Sequence, residues 1–328
     1  MRWSNLLRPK KVVTALRIES HASAQIIRHG YPDICLQFLG GLGDELMLTC
    51  LARELKKRDP SLRIWQISAA AELLRGNPDY HLVLGPDYWP LRHSNLLARN
   101  RTQLSYSRQL NGDDRWEIPQ EHVLLKLLRQ AGIKGDVVLR PYVHLNAEER
   151  RTFESDRVQI CVQSLGQGTH ETWMLNKIWP HERLCEVIEN MHQRHPSLKF
   201  VQLGLGVDPK LPCDLDLRGR TSLRETASAL AASQLFLGGE GFLAHLARAV
   251  DTRSVVIFGG RSRASQLGYG CNINLETYPA CSPCWSRHRC DWQRTCLDQI
   301  AVSEVIDALE RALAEMDQPL AVDFATVA

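Results

Sequence analysis

An apolar run, Ile34-Cys35-Leu36-Gln37-Phe38-Leu39, ends in Gly40-Gly41-Leu42-Gly43-Asp44, after which apolar residues recur at Leu48, Leu51, Ala52 and Leu55. The run predicts a strand, the three- and four-residue recurrence predicts a helix from Leu46 to Arg58, and Asp59-Pro60 ends it. Further strands are expected at Leu62 to Ile67 and at His81 to Leu84, which makes a parallel βαβ unit. Residues 86 to 120 carry no periodicity and read as loops with short helices, and a helix returns at His122 to Ala131, stopped by Gly132.

A second series starts at the strand Val158 to Val162, which meets a glycine-containing loop. It continues with a helix from His181 to His195, a strand Lys199 to Leu203, a helix Ser222 to Ala232 and a strand Gln234 to Leu237. A helix Phe242 to Ala249, a strand Ser254 to Phe258 and a last helix Ser303 to Met316 complete it. Strands alternating with helices predict a doubly wound parallel sheet. The expectation is therefore an α/β protein of two Rossmann-like halves facing a cleft. The reading places an N-terminal extension at 1–33, domains at 34–150 and 151–302, and a terminal helix and tail at 303–328.

The 328 residues suit two moderate domains, and a formal net charge of +3 is too small to argue for nucleic-acid binding through global charge. The start of the chain lacks the apolar stretch and cleavage site of a leader, and no run of about 20 apolar residues occurs, so the reading is cytoplasmic. Arg2, Arg8, Lys10 and Lys11 beside Trp3, Leu6 and Leu7 suggest peripheral membrane contact, although a frayed, solvated terminus is the plainer reading.

Three segments could carry chemistry. Gly41-Leu42-Gly43-Asp44 lacks the third glycine of a dinucleotide fingerprint and the Lys-Ser/Thr of a P-loop. Asp44 either caps the helix or projects into the cleft as a general base. In Lys177-Ile-Trp-Pro180, the lysine is a solvated loop residue or the partner of a phosphate, and Pro180 fits the first turn of the next helix. In Gly238-Gly239-Glu240-Gly241-Phe-Leu-Ala-His245, backbone amides at a helix start could hold a diphosphate and Glu240 could hold hydroxyls. His245 reads as a packed core histidine before a catalytic one. Gly259-Gly260-Arg261 repeats the pattern of glycines and a charge after a strand.

Four of ten cysteines crowd together: Cys281, Cys284, Cys290 and Cys296. Under reducing conditions they suggest a tetrahedral site for Zn or Fe of structural purpose, with four free thiols as the alternative. Arg92, Arg99, Arg101 and Arg108 form a basic stretch that is either a solvated face or a dock for acceptor phosphates.

In order and spacing these segments resemble glycosyltransferase family nine, the ADP-heptose:lipopolysaccharide heptosyltransferases, over about residues 34 to 312. The similar pieces are Gly41-Leu-Gly-Asp44 with Leu55-Lys-Lys-Arg-Asp-Pro60, then Lys177-Ile-Trp-Pro180, then Gly239-Glu-Gly-Phe-Leu-Ala-His245-Leu-Ala-Arg-Ala with Val256-Ile-Phe-Gly259. The resemblance implies a GT-B fold with an N-terminal acceptor domain, a C-terminal nucleotide-sugar domain and a final helix packing back across the cleft. It implies inverting transfer of heptose from ADP-heptose without a catalytic metal. Asp44 would be the base, and Gly41, Gly43, Arg92, Arg99 and Arg101 would face the acceptor. Lys177, Gly239, Glu240, Gly241, His245 and Arg261 would hold the donor, and a related branch binds iron through a cysteine set. The acceptor would be an anionic glycan, a lipid-linked one or a protein. Glu240 and Gly241 depart from the family's usual Asp and hydroxyl residue, which bears on donor choice. The alternatives are another nucleotide sugar, or a decayed transferase serving as a metal-knuckle scaffold.

Overall fold

In the computed structural model, residues 9–38, 40–110, 114–164 and 174–328 are described. The first half opens with helix α1 (Pro9–His29), then β1 (Ile34–Phe38), α2 (Leu42–Arg58), β2 (Ile64–Ile67) and β3 (Leu82–Leu84). A 3-10 turn (Pro86–His93), α3 (Asn95–Ala98), β4 (Arg101–Leu104), α4 (Val123–Gln130), β5 (Gly135–Val138) and α5 (Ala147–Arg151) follow. The second half runs β6 (Gln159–Gln163), α6 (His181–Arg194), β7 (Lys199–Leu203), β8 (Leu215–Asp216), α7 (Leu223–Ala231), β9 (Leu235–Gly239), α8 (Phe242–Ala249) and β10 (Arg253–Gly259). It closes with α9 (Ala264–Leu267), β11 (Ile273–Glu276), α10 (Thr295–Asp298), α11 (Val302–Ala314) and β12 (Phe324–Val327).

The first sheet has the order β3-β2-β1-β4 and the second β11-β10-β9-β6-β7-β8, all pairs parallel. In the second sheet the chain winds outward from β6 in one direction and then from β9 in the other. The switch point therefore lies between them, where such folds bind ligands. Four-residue β4 was hidden in the irregular stretch because Arg-Thr-Gln-Leu shows no apolar alternation. Its pairing with β1 supplies what its sequence does not.

Over its described part the N-terminal extension is a helix held on the first sheet. Ile18, Ala22 and Ile26 of α1 pack with Cys35, Trp65 and Leu97, and Glu19 accepts bonds from Ser94 Oγ (2.7 Å) and Asn95 N (2.6 Å). Residues 1–8, which carry Arg2, Trp3 and Arg8, lie outside the described residues, as does the glycine-containing loop after β6. The final helix also differs from expectation. α11 packs on α6 and β10 within its own half, and the tail beyond it crosses instead, with β12 pairing antiparallel to β5. No helix among the described residues is long and apolar enough to cross a membrane.

Arg224 of α7 ties the halves together. It forms a two-point ion pair with Glu149 (2.6 Å to each oxygen) and donates to the carbonyls of Arg75 (3.1 Å) and His144 (2.8 Å). The Arg224 bond, ahead of burial, which opposes it, and the Asn146 amide, holds the Glu149 carboxyl down at about 2. A depressed carboxyl contributes stability above its unfolded value that disappears as pH falls toward the folded one. Arg224→Ala should cost about 3 kcal/mol in chemical denaturation. It should also flatten the stability loss between about pH 4.5 and 2. An unchanged midpoint would show that the halves are held elsewhere.

Candidate functional site

The strand β1 delivers the chain to α2 through Gly40 and Gly41. A side-chain carbon at Gly40 would sit 2.2 Å from Asp44 Oδ2 and 2.5 Å from Phe38, so only glycine lets the chain turn here. Asp44 occupies the third position of α2, and its Oδ2 accepts the Gly41 amide at 2.7 Å. This is the helix-capping role, and it leaves Oδ1 to receive the Tyr106 hydroxyl at 2.5 Å. Burial raises the Asp44 pKa against the lowering pull of Tyr106, Gly41 and Lys177.

Across from it, β9 ends at Gly239 and α8 begins after Gly241. The Glu240 carboxylate is buried between them, with Lys177 Nζ 2.6 Å away, Ser262 Oγ donating at 3.3 Å and Arg261 Nη1 at 4.0 Å. Burial opposes its charge most strongly, yet Lys177 and Arg261 outweigh that and hold the Glu240 pKa below the ordinary carboxylate range. Burial likewise lowers the pKa of Lys177, with Glu240 opposing the shift. His245 is packed inside α8 against the Tyr269 hydroxyl (2.7 Å), and burial pushes it down to about 4, so it is neutral at physiological pH. A side-chain carbon at Gly43 would meet His245 Cδ2 at 3.1 Å and the Phe242 backbone at 3.4 Å. The N-termini of α2 and α8 therefore abut, and both helix dipoles favour negative charge in the gap.

The structure thus gathers Asp44, Lys177, Glu240 and Arg261, which sense one another electrostatically, with Gly41, Gly43, Gly239, Gly241 and His245 around them. It does not gather the basic stretch. Arg99 and Arg101 lie at the beginning of β4, where Arg101 pairs with Cys35 at the start of β1. Parallel strands reach the cleft with their C-terminal ends, so these two arginines stand about 10 Å back along the sheet. Arg101 is spent on the Ser94 carbonyl and Arg108 lies on Glu117 (3.7 Å). Arg92 does reach the cleft side, where it binds Glu45 (3.2 Å) and the Ile67 carbonyl (3.3 Å) and covers the Trp89 ring. Pro180 precedes α6 as its N-cap and is not in its first turn.

The cysteine segment has a role that its sequence does not announce. The Arg261 Nε donates to the Ser286 carbonyl (3.2 Å), and its guanidinium lies over Trp285. Asn176, next to Lys177, donates to the carbonyls of Ser286 (3.1 Å) and Arg289 (2.9 Å). From the first half, Asp114 receives Ser286 Oγ, His288 N and Arg289 N within 2.7 Å. Burial would raise the Asp114 pKa, but these donors hold it at about 2. One loop therefore fixes both cations of the cluster and bridges the halves. No local signal gives this away, because each contact joins residues far apart in sequence.

The four cysteines line one cavity of about 890 Å³. Among the described residues, however, no three His, Cys, Asp or Glu side chains form a metal-ligand group. Cys290 Sγ accepts the Arg294 amide (3.3 Å), and Cys296 backs onto Gly260. The expected four-thiolate centre is not formed by this arrangement.

Two parallel Rossmann-like sheets meeting at paired helix N-termini, with acid and cations between them, form a GT-B fold like that of the solved heptosyltransferases. Residues 143–288 match the model of glycosyltransferase family 9 (heptosyltransferase). Among solved structures it is similar to ADP-heptose LPS heptosyltransferase II of E. coli, with 16% identity, TM-score 0.62, and 86% of this chain and 99% of that one covered. It is similar to the family 9 glycosyl transferase of Veillonella parvula DSM 2008, with 14% identity, TM-score 0.61, and 87% and 98% covered. It is also similar to the iron-containing dodecameric glycosyltransferase TibC of enterotoxigenic E. coli H10407, with 16% identity, TM-score 0.65, and 87% and 77% covered. No curated protein matches the chain by sequence.

Proposed function

We propose that the protein transfers heptose from ADP-heptose to a hydroxyl of an anionic glycan, lipid-linked or protein acceptor on the cytoplasmic side, with inversion. The observation that carries this reading is the juxtaposition of Asp44 with the Lys177–Glu240–Arg261 cluster between two helix N-termini. The match of residues 143–288 to the family 9 model, and a similar structure, TibC, solved with ADP-D-beta-D-heptose, support the donor class.

In this reading the first half, residues 34–150, receives the acceptor and the second, residues 151–302, receives the donor. Ionised Asp44 takes the proton of the acceptor hydroxyl as that oxygen attacks the anomeric carbon. The bond to the nucleotide diphosphate breaks, and Lys177, Arg261 and the amides at the start of α8 stabilise the leaving charge. Tyr106 holds the Asp44 carboxylate toward the cleft. Glu240 orients Lys177 before the donor arrives and accepts from donor hydroxyls afterwards. At Gly241 an added side-chain carbon would meet nothing within 4 Å, so this chain leaves room beside the donor where a larger residue would intrude.

Calorimetry with ADP-heptose, ADP and a panel of other nucleotide sugars tests the proposal. Selective ADP-heptose binding is expected, and preference for another donor would keep the chemistry but replace the sugar. A structural Zn or Fe ion is a separate proposal that would require the cysteine loop to close around its cavity. Elemental analysis finding no metal in reduced protein would remove it.

The raised Asp44 pKa also predicts a pH profile. A base acts only when ionised, so the acidic limb of kcat/KM should lie above the ordinary aspartate value of about 3.9. Tyr106→Phe removes a donor that favours the charged form, so the limb should move to still higher pH. A limb at the ordinary value, or one moving down, would separate Asp44 from proton transfer.

A further inference from the structure

Helix α1 has three faces. At about 100° per residue, Ile18, Ala22 and Ile26 share the face turned to the first sheet, where they pack with Cys35 and Trp65. Val13, Leu16, Ser20, Ala24 and Ile27 fall on the opposite side within an arc of about 80°. Val13, Leu16 and Ile27 are 64%, 65% and 85% exposed. The stripe is about 21 Å long from Val13 to Ile27. Arg17, His21 and Arg28 line one border of it, all exposed. Glu19 is the one acid of the helix, and it is turned away to hold Ser94 and Asn95. Leu96, whose amide Glu19 also holds, is itself 40% exposed.

Packing explains the inner face and solvation would explain a polar outer one, but neither explains three exposed aliphatic side chains beside an unneutralised basic row. We propose that α1 docks the protein on an anionic phospholipid bilayer, lying in the plane of the interface. The stripe would sink into the boundary between headgroups and acyl chains, and Arg17, His21 and Arg28 would meet lipid phosphates. Charge decides against a second copy of this chain. In an antiparallel pair of stripes the two basic rows would lie side by side, and the one acid of each helix, Glu19, is already held by Ser94 and Asn95. The docked face belongs to the half that carries Asp44. The proposal stands independently of which sugar is transferred.

The test is sedimentation of the full-length protein with vesicles of phosphatidylcholine alone or with about one quarter phosphatidylglycerol. Binding to the anionic vesicles should be at least about tenfold tighter than to neutral ones and should weaken at high salt. The double variant Leu16→Glu/Ile27→Glu removes the apolar stripe, and Arg17→Glu/Arg28→Glu reverses the basic row. Each should weaken binding at least about tenfold with an unchanged melting temperature, since all four side chains stand in solvent. Equal binding to both vesicle types, or variants that bind like the parent, would overturn the proposal. A concentration-dependent dimer lost in Leu16→Glu/Ile27→Glu, with no vesicle binding, would assign the stripe to self-association and overturn it too. If the first variant folds poorly, the charge-reversal pair still separates the outcomes.

Discussion

Asp44→Asn is expected to lower kcat by about a hundredfold to ten-thousandfold, with donor affinity nearly unchanged. The substitution is nearly isosteric. An amide oxygen can still accept the Gly41 N–H, and an amide nitrogen can still meet the Tyr106 oxygen, so α2 keeps its start. What disappears is the capacity to take a proton. The acidic limb of the pH profile assigned to this carboxyl should vanish with it. Single-turnover transfer at saturating donor, together with calorimetric donor binding, separates the two effects. Parental rates in a folded Asp44→Asn protein would leave Asp44 as a helix cap alone and would remove the proposed base.

Lys177→Ala should be the most damaging change on the other side of the cleft. Lys177 Nζ and the Glu240 carboxylate stand 2.6 Å apart and are both largely buried. Removing one partner of such a pair costs about 3–5 kcal/mol, because the other charge is left without water. Arg261, at 4.0 Å, offsets part of that cost. Donor affinity should also fall at least about tenfold, since a charge-assisted bond to a phosphate is worth about 1.5–3 kcal/mol. Glu240→Gln supplies the contrast. It relieves the buried carboxylate but keeps Lys177, so it should disturb stability less and leave phosphate binding closer to the parent. Equal losses in both variants would show that the pair only holds the fold together.

The place of the cysteine loop bears on both predictions. Through Ser286 and Arg289 it positions the turn before Lys177, and through Ser286 and Trp285 it positions Arg261. Asp114 ties that same loop to the half that carries Asp44. Opening of the cleft therefore has to work against one loop that touches both halves.

The sequence by itself determined the alternation of strands and helices. The strand at 199–203 and the helix at 242–249 could be read to the residue because their apolar periodicity is local and uninterrupted. It also determined the glycines that bring chain turns close to Asp44 and Glu240, since a missing side chain is visible in the sequence. It did not determine β4, whose polar residues become a strand only by pairing with β1, or β12, which finds β5 nearly two hundred positions earlier in the chain. Nor did it determine which charges are free. Arg92, Arg99 and Arg101 look alike in a linear stretch, yet the direction of β4 sets two of them at the far end of the sheet. Conversely, Glu45 carries no motif, but the fold buries it against Ser68 Oγ (2.6 Å) and Arg92, where it anchors the helix that presents Asp44. Local periodicity is written in neighbouring residues, whereas the environment of a charge is set by partners that only the closed tertiary structure brings within a few ångströms.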